Sequence, residues 1–396
     1  MKLTVHRDVF AEAVSFAVKL LPQRTTLPIL SGVLLEAGDN SLSLSSFDYE
    51  VSARTEVKAD VDTGGQVLVS GRLLSEIAQR LPQQDVTLEL DGSSMKVTCG
   101  TAKFSLLTMP LEEYPQLPEV QGPTGHISGE EFAHAVAQVT PAASRDDVTP
   151  VITGVLLQIT GEHLAMMATD RYRVAVRNVS WSKADSMEDV QALVPSRTLA
   201  EVGKTFSAAD SVAITIMTGG ERELVAFSAQ DKTVTSLLIK GSFPPVQRLF
   251  PDAITNYAVV NTQELIEATR RVSLVIEREA PLRYSFSADG VLLEALGSEQ
   301  AQASETTDGH LVGDECVVSL KPQFFIDGLS QTGSEFARIG FTPTDNPNKP
   351  GPVLITAQTS KDLTTNRRTD TAAAKSAHAL DSVGFTSSAE PFSKPH

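Results

Sequence analysis

The stretch Arg7-Asp-Val-Phe-Ala-Glu-Ala-Val14 occurs again as Gly129-Glu-Glu-Phe-Ala-His-Ala-Val136, and more faintly as Thr262-Gln-Glu-Leu-Ile-Glu-Ala-Thr269. Phe10 and Phe132 lie 122 residues apart, and Phe132 and Leu265 lie 133 apart. Downstream residues keep the spacing of the first two copies. Gly32-Val-Leu-Leu-Glu36 begins 22 residues after Phe10, and Gly154-Val-Leu-Leu-Gln158 begins 22 after Phe132. Asp48 and Asp170 each follow those aromatics by 38. Each copy then carries a second apolar segment: Arg72-Leu-Leu-Ser-Glu-Ile77, Arg197-Thr-Leu-Ala-Glu-Val202 and Gln323-Phe-Phe-Ile-Asp-Gly328. Self-similarity at a fixed period marks tandem copies of one structural unit, so the chain reads as three successive domains.

Within a copy the hydrophobic period changes. Val9, Phe10, Ala13, Val14 and Ala17 recur at helical spacing, which gives one apolar stripe. Ile29 to Leu35 and the alternating Ser41-Leu-Ser-Leu-Ser45 read as strands, as do Val86 to Leu90, Met95 to Cys99 and Lys103 to Leu107. The expectation is an α+β fold in which each copy packs two helices, of about eleven to fifteen residues, on antiparallel sheets. Proline-rich joints run from Tyr114 to Pro123 and from Phe243 to Pro251. They set domain limits at 1–121, 122–251 and 252–358. Residues 359–396 are rich in Ser, Thr, Ala and Lys, show no sustained strand, and are expected to form a flexible tail with at most a short helix near Asp370 to Leu380.

The whole chain has 396 residues, 41% of them hydrophobic and 21% charged. This is an ordinary globular composition, which excludes collagen-like, disulfide-scaffold and wholly disordered classes. No apolar run is long enough to span a membrane. The N-terminus has no apolar signal core, and the only cysteines, Cys99 and Cys316, are far apart, so a reducing cytoplasm is expected. The net charge of −16 argues against coating nucleic acid by bulk attraction, though not against a local basic surface.

Catalytic chemistry is missing. Gly203-Lys-Thr205 resembles the end of a phosphate-binding loop, but Thr198 stands where that loop needs glycine. The seven histidines show no ligand spacing, and no Gly-x-Ser-x-Gly elbow occurs. No catalytic residue, metal or cofactor is expected. Basic residues instead recur on the helices and the loops beside them: Lys19, Arg24, Arg72, Arg80, Arg145, Arg197, Lys204, Arg270, Arg271, Arg278 and Lys321. Gathered on one side, they would track phosphates without reading bases.

These residues resemble the bacterial sliding clamps, the beta-subunit family of DNA polymerase III. The likeness is carried by Arg24-x-x-Leu-Pro-Ile-Leu30, Phe47-Asp-Tyr-Glu50, Phe104-Ser-Leu106, Ala168-Thr-Asp-Arg171 with Arg173, and Phe243-Pro244 before Arg248. It runs from residue 1 to about 356. The resemblance implies a head-to-tail homodimeric ring around duplex DNA, a non-catalytic processivity factor that tethers the polymerase III alpha subunit, the clamp loader and other motif-bearing proteins. It implies DNA contact by Arg24 and Arg72, with Arg197 and Lys204 on the corresponding second-domain helix. It implies a partner-peptide groove of Ile152, Thr169, Arg171, Tyr172, Arg173, Val174, Pro244, Arg248 and Leu249. Phe104 and Leu106 of one protomer would meet Leu274 of the next.

The C-terminus departs from the family. Clamps end in a short apolar strand closing on Met-Pro-x-Arg-Leu, and here the likeness stops after Pro352-Val-Leu-Ile-Thr356, with no methionine beyond Met217. Three readings stand side by side: the tail supplies a substitute strand, the groove lacks a wall, or the coding frame shifts near Thr359. The second makes the chain a clamp variant that recruits partners weakly.

Overall fold

The computed structural model describes residues 1–21, 27–122, 124–184, 188–220, 222–250, 253–277, 280–295, 301–342, 351–360 and 384–387. Arg24, Arg278 and the short helix expected near Asp370 to Leu380 lie outside them.

Six helices follow the repeat: α1 (Arg7–Lys19), α2 (Gly71–Ala78), α3 (Gly129–Val139), α4 (Ser196–Thr205), α5 (Thr262–Val272) and α6 (Pro322–Gln331). In α1 Phe10, Ala13, Val14 and Ala17 are buried as their spacing predicts, Phe16 is buried with them, and Val9, expected in the same stripe, is exposed. Side-chain oxygens cap several of the helices: Ser70 accepts from Leu73 N–H, Ser128 from Glu131 N–H and Asn261 from Glu264 N–H. Proline opens α6, where its missing N–H has no intrahelical partner to lose. The second helix of each copy is shorter than expected, 8 residues in α2 and 10 in α4 and α6. Pro82 follows closely after α2 and bars its continuation.

The chain forms two compact units. One comprises Met1–Phe132, Ser182–Met187 and Glu201–Leu238. Among its described residues an antiparallel sheet of 14 strands runs through the first repeat and into the second. The two repeats join in it by the pairing of Val51–Lys58 with Lys232–Leu237, in register from Ser236 opposite Val51 to Lys232 opposite Thr55. Leu3, Phe10, Val14, Leu35, Leu44, Leu74, Val86, Leu88 and Leu106 belong to its largest core.

The other unit comprises Ala133–Trp181, Glu188–Ala200 and Ile239–His396. Its nine-stranded sheet runs Val190–Pro195, Gly154–Thr160, His163–Thr169, Arg173–Ser180, Gly384–Ser387, Val353–Gln358, Phe336–Phe341, Tyr257–Asn261, Gly309–Val312. A four-stranded sheet lies within the third repeat, and there Tyr284 meets Phe325 edge-on with ring centroids 4.7 Å apart.

The sheets run across the repeat junctions, and this is why the two units do not coincide with the three repeats. The repeat is also local. Gly32–Gly38 and Gly154–Thr160 have the same succession of buried and exposed residues. Tyr49 and Arg171, again 122 apart, both take left-handed backbone conformations, with φ of 75° and 80°. The aspartate before each holds the turn. Asp48 Oδ1 accepts from the amides of Glu50 and Val51, and Asp170 Oδ1 accepts from those of Tyr172 and Arg173.

The tail departs from expectation at one place. Residues Gly384–Ser387 form a strand inside the nine-stranded sheet, between Arg173–Ser180 and Val353–Gln358.

Candidate functional site

The Asp170 turn delivers the chain into the strand Arg173–Ser180, whose side chains alternate between two faces. On one face Val174 and Val176 join Leu156, Met167, Leu193 and Val246 in a buried apolar cluster. Half-buried Val151, Ile239, Phe243, Leu249 and Phe250 pack against it. Val246 and Leu249 come from a single helical turn, Val246–Leu249, that follows the two prolines Pro244 and Pro245. Arg248 projects from that turn and Arg171 from the Asp170 turn, both exposed. Thr169 is buried; its hydroxyl accepts from the Arg171 amide at 3.2 Å and donates to the Arg173 carbonyl at 2.7 Å, fixing the turn.

Of the nine residues expected in the groove, the structure therefore brings Val174 and Leu249 together, with Thr169 bracing the turn. Ile152 is buried in its own short helical turn, and its neighbour Val151 reaches the cluster instead. Pro244 is half-buried beside Phe243. Tyr172 turns to Phe324, with ring centroids 6.2 Å apart. Leu156, Met167, Leu193 and Val246 were missed by sequence reading. Their signal was the apolar run of strands buried on both faces, which carries no mark of function.

Arg173 faces away from this cluster. It stands on the face opposite Val174 and is buried. Its guanidinium donates to Asp170 at 3.0 Å, to Asp327 in α6 at 2.6 Å and to the Pro141 carbonyl, and it stacks 4.3 Å above the Phe324 ring. All of these partners lie away from the apolar cluster. The residue 122 positions earlier is Val51, so the first repeat junction has no counterpart of this arginine.

The first junction differs in its apolar residues. Its equivalent cluster is Leu34, Phe47, Leu68 and Tyr114. Phe47 occupies the position of Thr169, and the Tyr114 hydroxyl accepts from the Phe47 amide at 2.8 Å and donates to the Gly32 carbonyl at 3.4 Å. Burial pushes the Tyr114 pKa up to about 12. Two aromatic side chains, Phe47 and Tyr114, thus belong to the first cluster, where the second junction has Thr169 at the Phe47 position.

The expected interface residues divide. Leu274 is 83% exposed and Phe104 40%, but Leu106 is only 2% exposed and belongs to the first core. The outward leucine of that strand is Leu107, at 77%. The register explains this: Leu106 lies opposite Met95, a core residue, and Leu107 lies opposite Ser94.

The basic residues of the helices are exposed and mostly balanced. Arg72 pairs with Glu76, Lys204 with Glu201, Arg270 with Glu267, and Arg271 makes a forked contact with Glu305. Hydrogen bonds from these cations hold the Glu201 and Glu305 carboxyls below their usual range. Arg197 is exposed on α4, seven residues before Lys204 and so on the same helical face. Such compensation leaves little net attraction for a polyanion at any one helix. Among the described residues no group of three or more His, Cys, Asp or Glu is placed to hold a metal ion, and no helix is long and apolar enough to cross a membrane.

Three consecutive segments match domain families of the DNA polymerase III beta subunit: the N-terminal domain at residues 1–118, the central domain at 126–245 and the C-terminal domain at 247–365. The chain is 44% identical over 348 residues to the beta sliding clamp of Streptomyces coelicolor, covering 88% of this chain and 93% of the relative. It is 46% identical over 306 residues to that of Micrococcus luteus, covering 77% of this chain and 98% of the relative. A crystal structure of the DNA polymerase sliding clamp from Bacillus subtilis has the same fold, with a TM-score of 0.85 at 24% identity over 98% of this chain and 99% of that one. With all three domains matched in order, the chain belongs to the beta sliding clamp family of DNA polymerase III beta subunits.

Proposed function

We propose that the chain is a non-catalytic processivity clamp, acting in the cytoplasm, that forms a head-to-tail homodimeric ring around duplex DNA and tethers the polymerase III alpha subunit, the clamp loader and other proteins through short peptide motifs. The observation that carries this reading is the tandem of three clamp domains covering residues 1–118, 126–245 and 247–365. Two such chains supply six similar units, and equivalent head-to-tail contacts can close a ring where one chain cannot. The domain limits at 1–121, 122–251 and 252–358 belong to the same proposal.

Charge supports a topological rather than an adhesive hold. The chain carries −16 overall, and its helix cations are locally neutralised, so phosphate contacts are few and sliding is not impeded. Loaded on a nicked circle, the protein is expected to stay bound and to be lost within one sliding time once the circle is linearised. Arg24→Ala with Arg72→Ala should weaken loading and direct contact while leaving the dimer intact. Equal retention on circular and linear DNA, read by gel filtration of the loaded complexes, overturns this reading.

The cluster of Val174, Val246 and Leu249, flanked by exposed Arg171 and Arg248, suits an extended peptide with Leu or Phe anchors and an acidic or Gln side chain. Truncating Leu249 to Ala removes on the order of 80 Å² of apolar contact, or about 2 kcal/mol at roughly 25 cal/mol/Å². Calorimetry with a polymerase tail peptide should then show affinity lower by about thirtyfold. Unchanged affinity would place the peptide elsewhere. The strand Gly384–Ser387 pairs beside Val174, which favours a groove with both sides present over a variant with one side missing.

A further inference from the structure

The two repeat junctions can be compared residue by residue, because the strand Val51–Lys58 at the first corresponds to Arg173–Ser180 at the second, 122 positions later. At the first junction Val51 lies opposite Ser236, Ser52 opposite Thr235, Ala53 opposite Val234 and Arg54 opposite Thr233. At the second, Arg173 lies opposite Ser387, Val174 opposite Thr386, Ala175 opposite Phe385 and Val176 opposite Gly384. The registers are the same position for position. The second partner agrees too. Ser236 pairs onward with Val225 of the strand Leu224–Ala229, and Ser387 pairs onward with Val353 of Val353–Gln358. The two inserted segments, Thr233-Val-Thr-Ser236 and Gly384-Phe-Thr-Ser387, even share their last two residues.

We propose that Gly384–Ser387 is the closing strand of the second junction, a segment of the atypical tail that has taken the place, direction and register that Thr233–Ser236 has at the first. The chemistry requires something there. Arg173–Val176 and Val353–Ile355 each pair with Gly384–Ser387 along one edge; without it both edges present unpaired N–H and C=O groups. One strand placed between them satisfies both. A one-residue slip would turn every side chain to the other face, so agreement of register at four consecutive pairs is a strong constraint rather than a loose fit. The family match ends at residue 365, so the strand comes from outside the matched domain. The connection also differs: the first junction reaches its strand from Ala229 through Gln230 and Asp231, the second from Gln358 across residues 359–383.

The test is hydrogen exchange read by mass spectrometry on the full chain. In the unaltered protein the amides of Gly384–Ser387 should exchange at least tenfold more slowly than in a free peptide of the same sequence. Thr386→Pro removes an amide hydrogen that a central strand needs, and ending the chain after Ser360 removes the strand altogether. Both should accelerate exchange at least tenfold at Arg173–Val176 and Val353–Ile355 while leaving Val51–Arg54 unchanged. Thr386→Val keeps the amide and should keep the protection. Free-peptide exchange at Gly384–Ser387 in the unaltered chain, or undisturbed protection at both flanking strands in the Pro and truncated chains, overturns the proposal. The readout needs neither DNA nor a partner, so its failure is distinct from failure of the processivity reading.

Discussion

Leu107→Ala combined with Leu274→Ala is expected to convert the proposed dimer into monomers at micromolar concentration. Both side chains stand largely in solvent, at 77% and 83% exposure, and in the proposed ring a seam would cover them. In a closed head-to-tail dimer each residue would occur once at each of two seams. Truncation at about 2 kcal/mol per leucine removes on the order of 8 kcal/mol in all, or nearly a millionfold in the dissociation constant. Sedimentation velocity reads the result directly. Leu106→Ala is the control, because its side chain is buried in the first core. It should cost about 2–5 kcal/mol of folding stability through the cavity it leaves and should not by itself separate protomers. If Leu106→Ala dissociates the dimer at unchanged stability while the Leu107 and Leu274 pair does not, the seam lies elsewhere.

The slip from Leu106 to Leu107 shows what residue type alone cannot decide. Phe104 and Leu106 share one face of their strand. That face is the core face, with Phe104 opposite Val97 and Leu106 opposite Met95, and Phe104 stands only at its exposed margin. Two adjacent leucines are indistinguishable by composition, and only the partner strand says which of them points out.

The three domains were legible because the 122-residue offset recurs at helix, strand and turn together, down to the left-handed Tyr49 and Arg171. The second helices α2, α4 and α6 keep their places but are shorter than the spacing suggested, α2 ending just before Pro82. The strand Gly384–Ser387 was not legible for the opposite reason. It has four residues, too few for a period, and its identity rests on the two strands it lies between. Val174 and Leu249 lie against one apolar cluster, while the residues that complete it look like any buried strand.

Arg173 provides the second large effect. A reading by motif sets it in the groove beside Val174, but alternation along the strand sends it to the far face, where Asp170, Asp327 and the Pro141 carbonyl share its donors. A buried arginine held by two carboxylates and an aromatic ring joins the turn before its own strand to helix α6, and removing it strands two acidic groups that are themselves largely covered. Breaking a buried pair on one side costs about 3–5 kcal/mol. Arg173→Met is therefore expected to speed amide exchange across α6 and Arg173–Val176 by about two hundred- to five-thousandfold, with the first junction unaffected. Adding Asp170→Asn and Asp327→Asn should recover much of that loss, since neutral partners no longer carry an uncompensated charge. The groove reading gives the reverse pattern: unchanged exchange, with a loss of peptide affinity that the two asparagines do not repair. That outcome would return Arg173 to the binding surface and leave its carboxylate partners without a structural role.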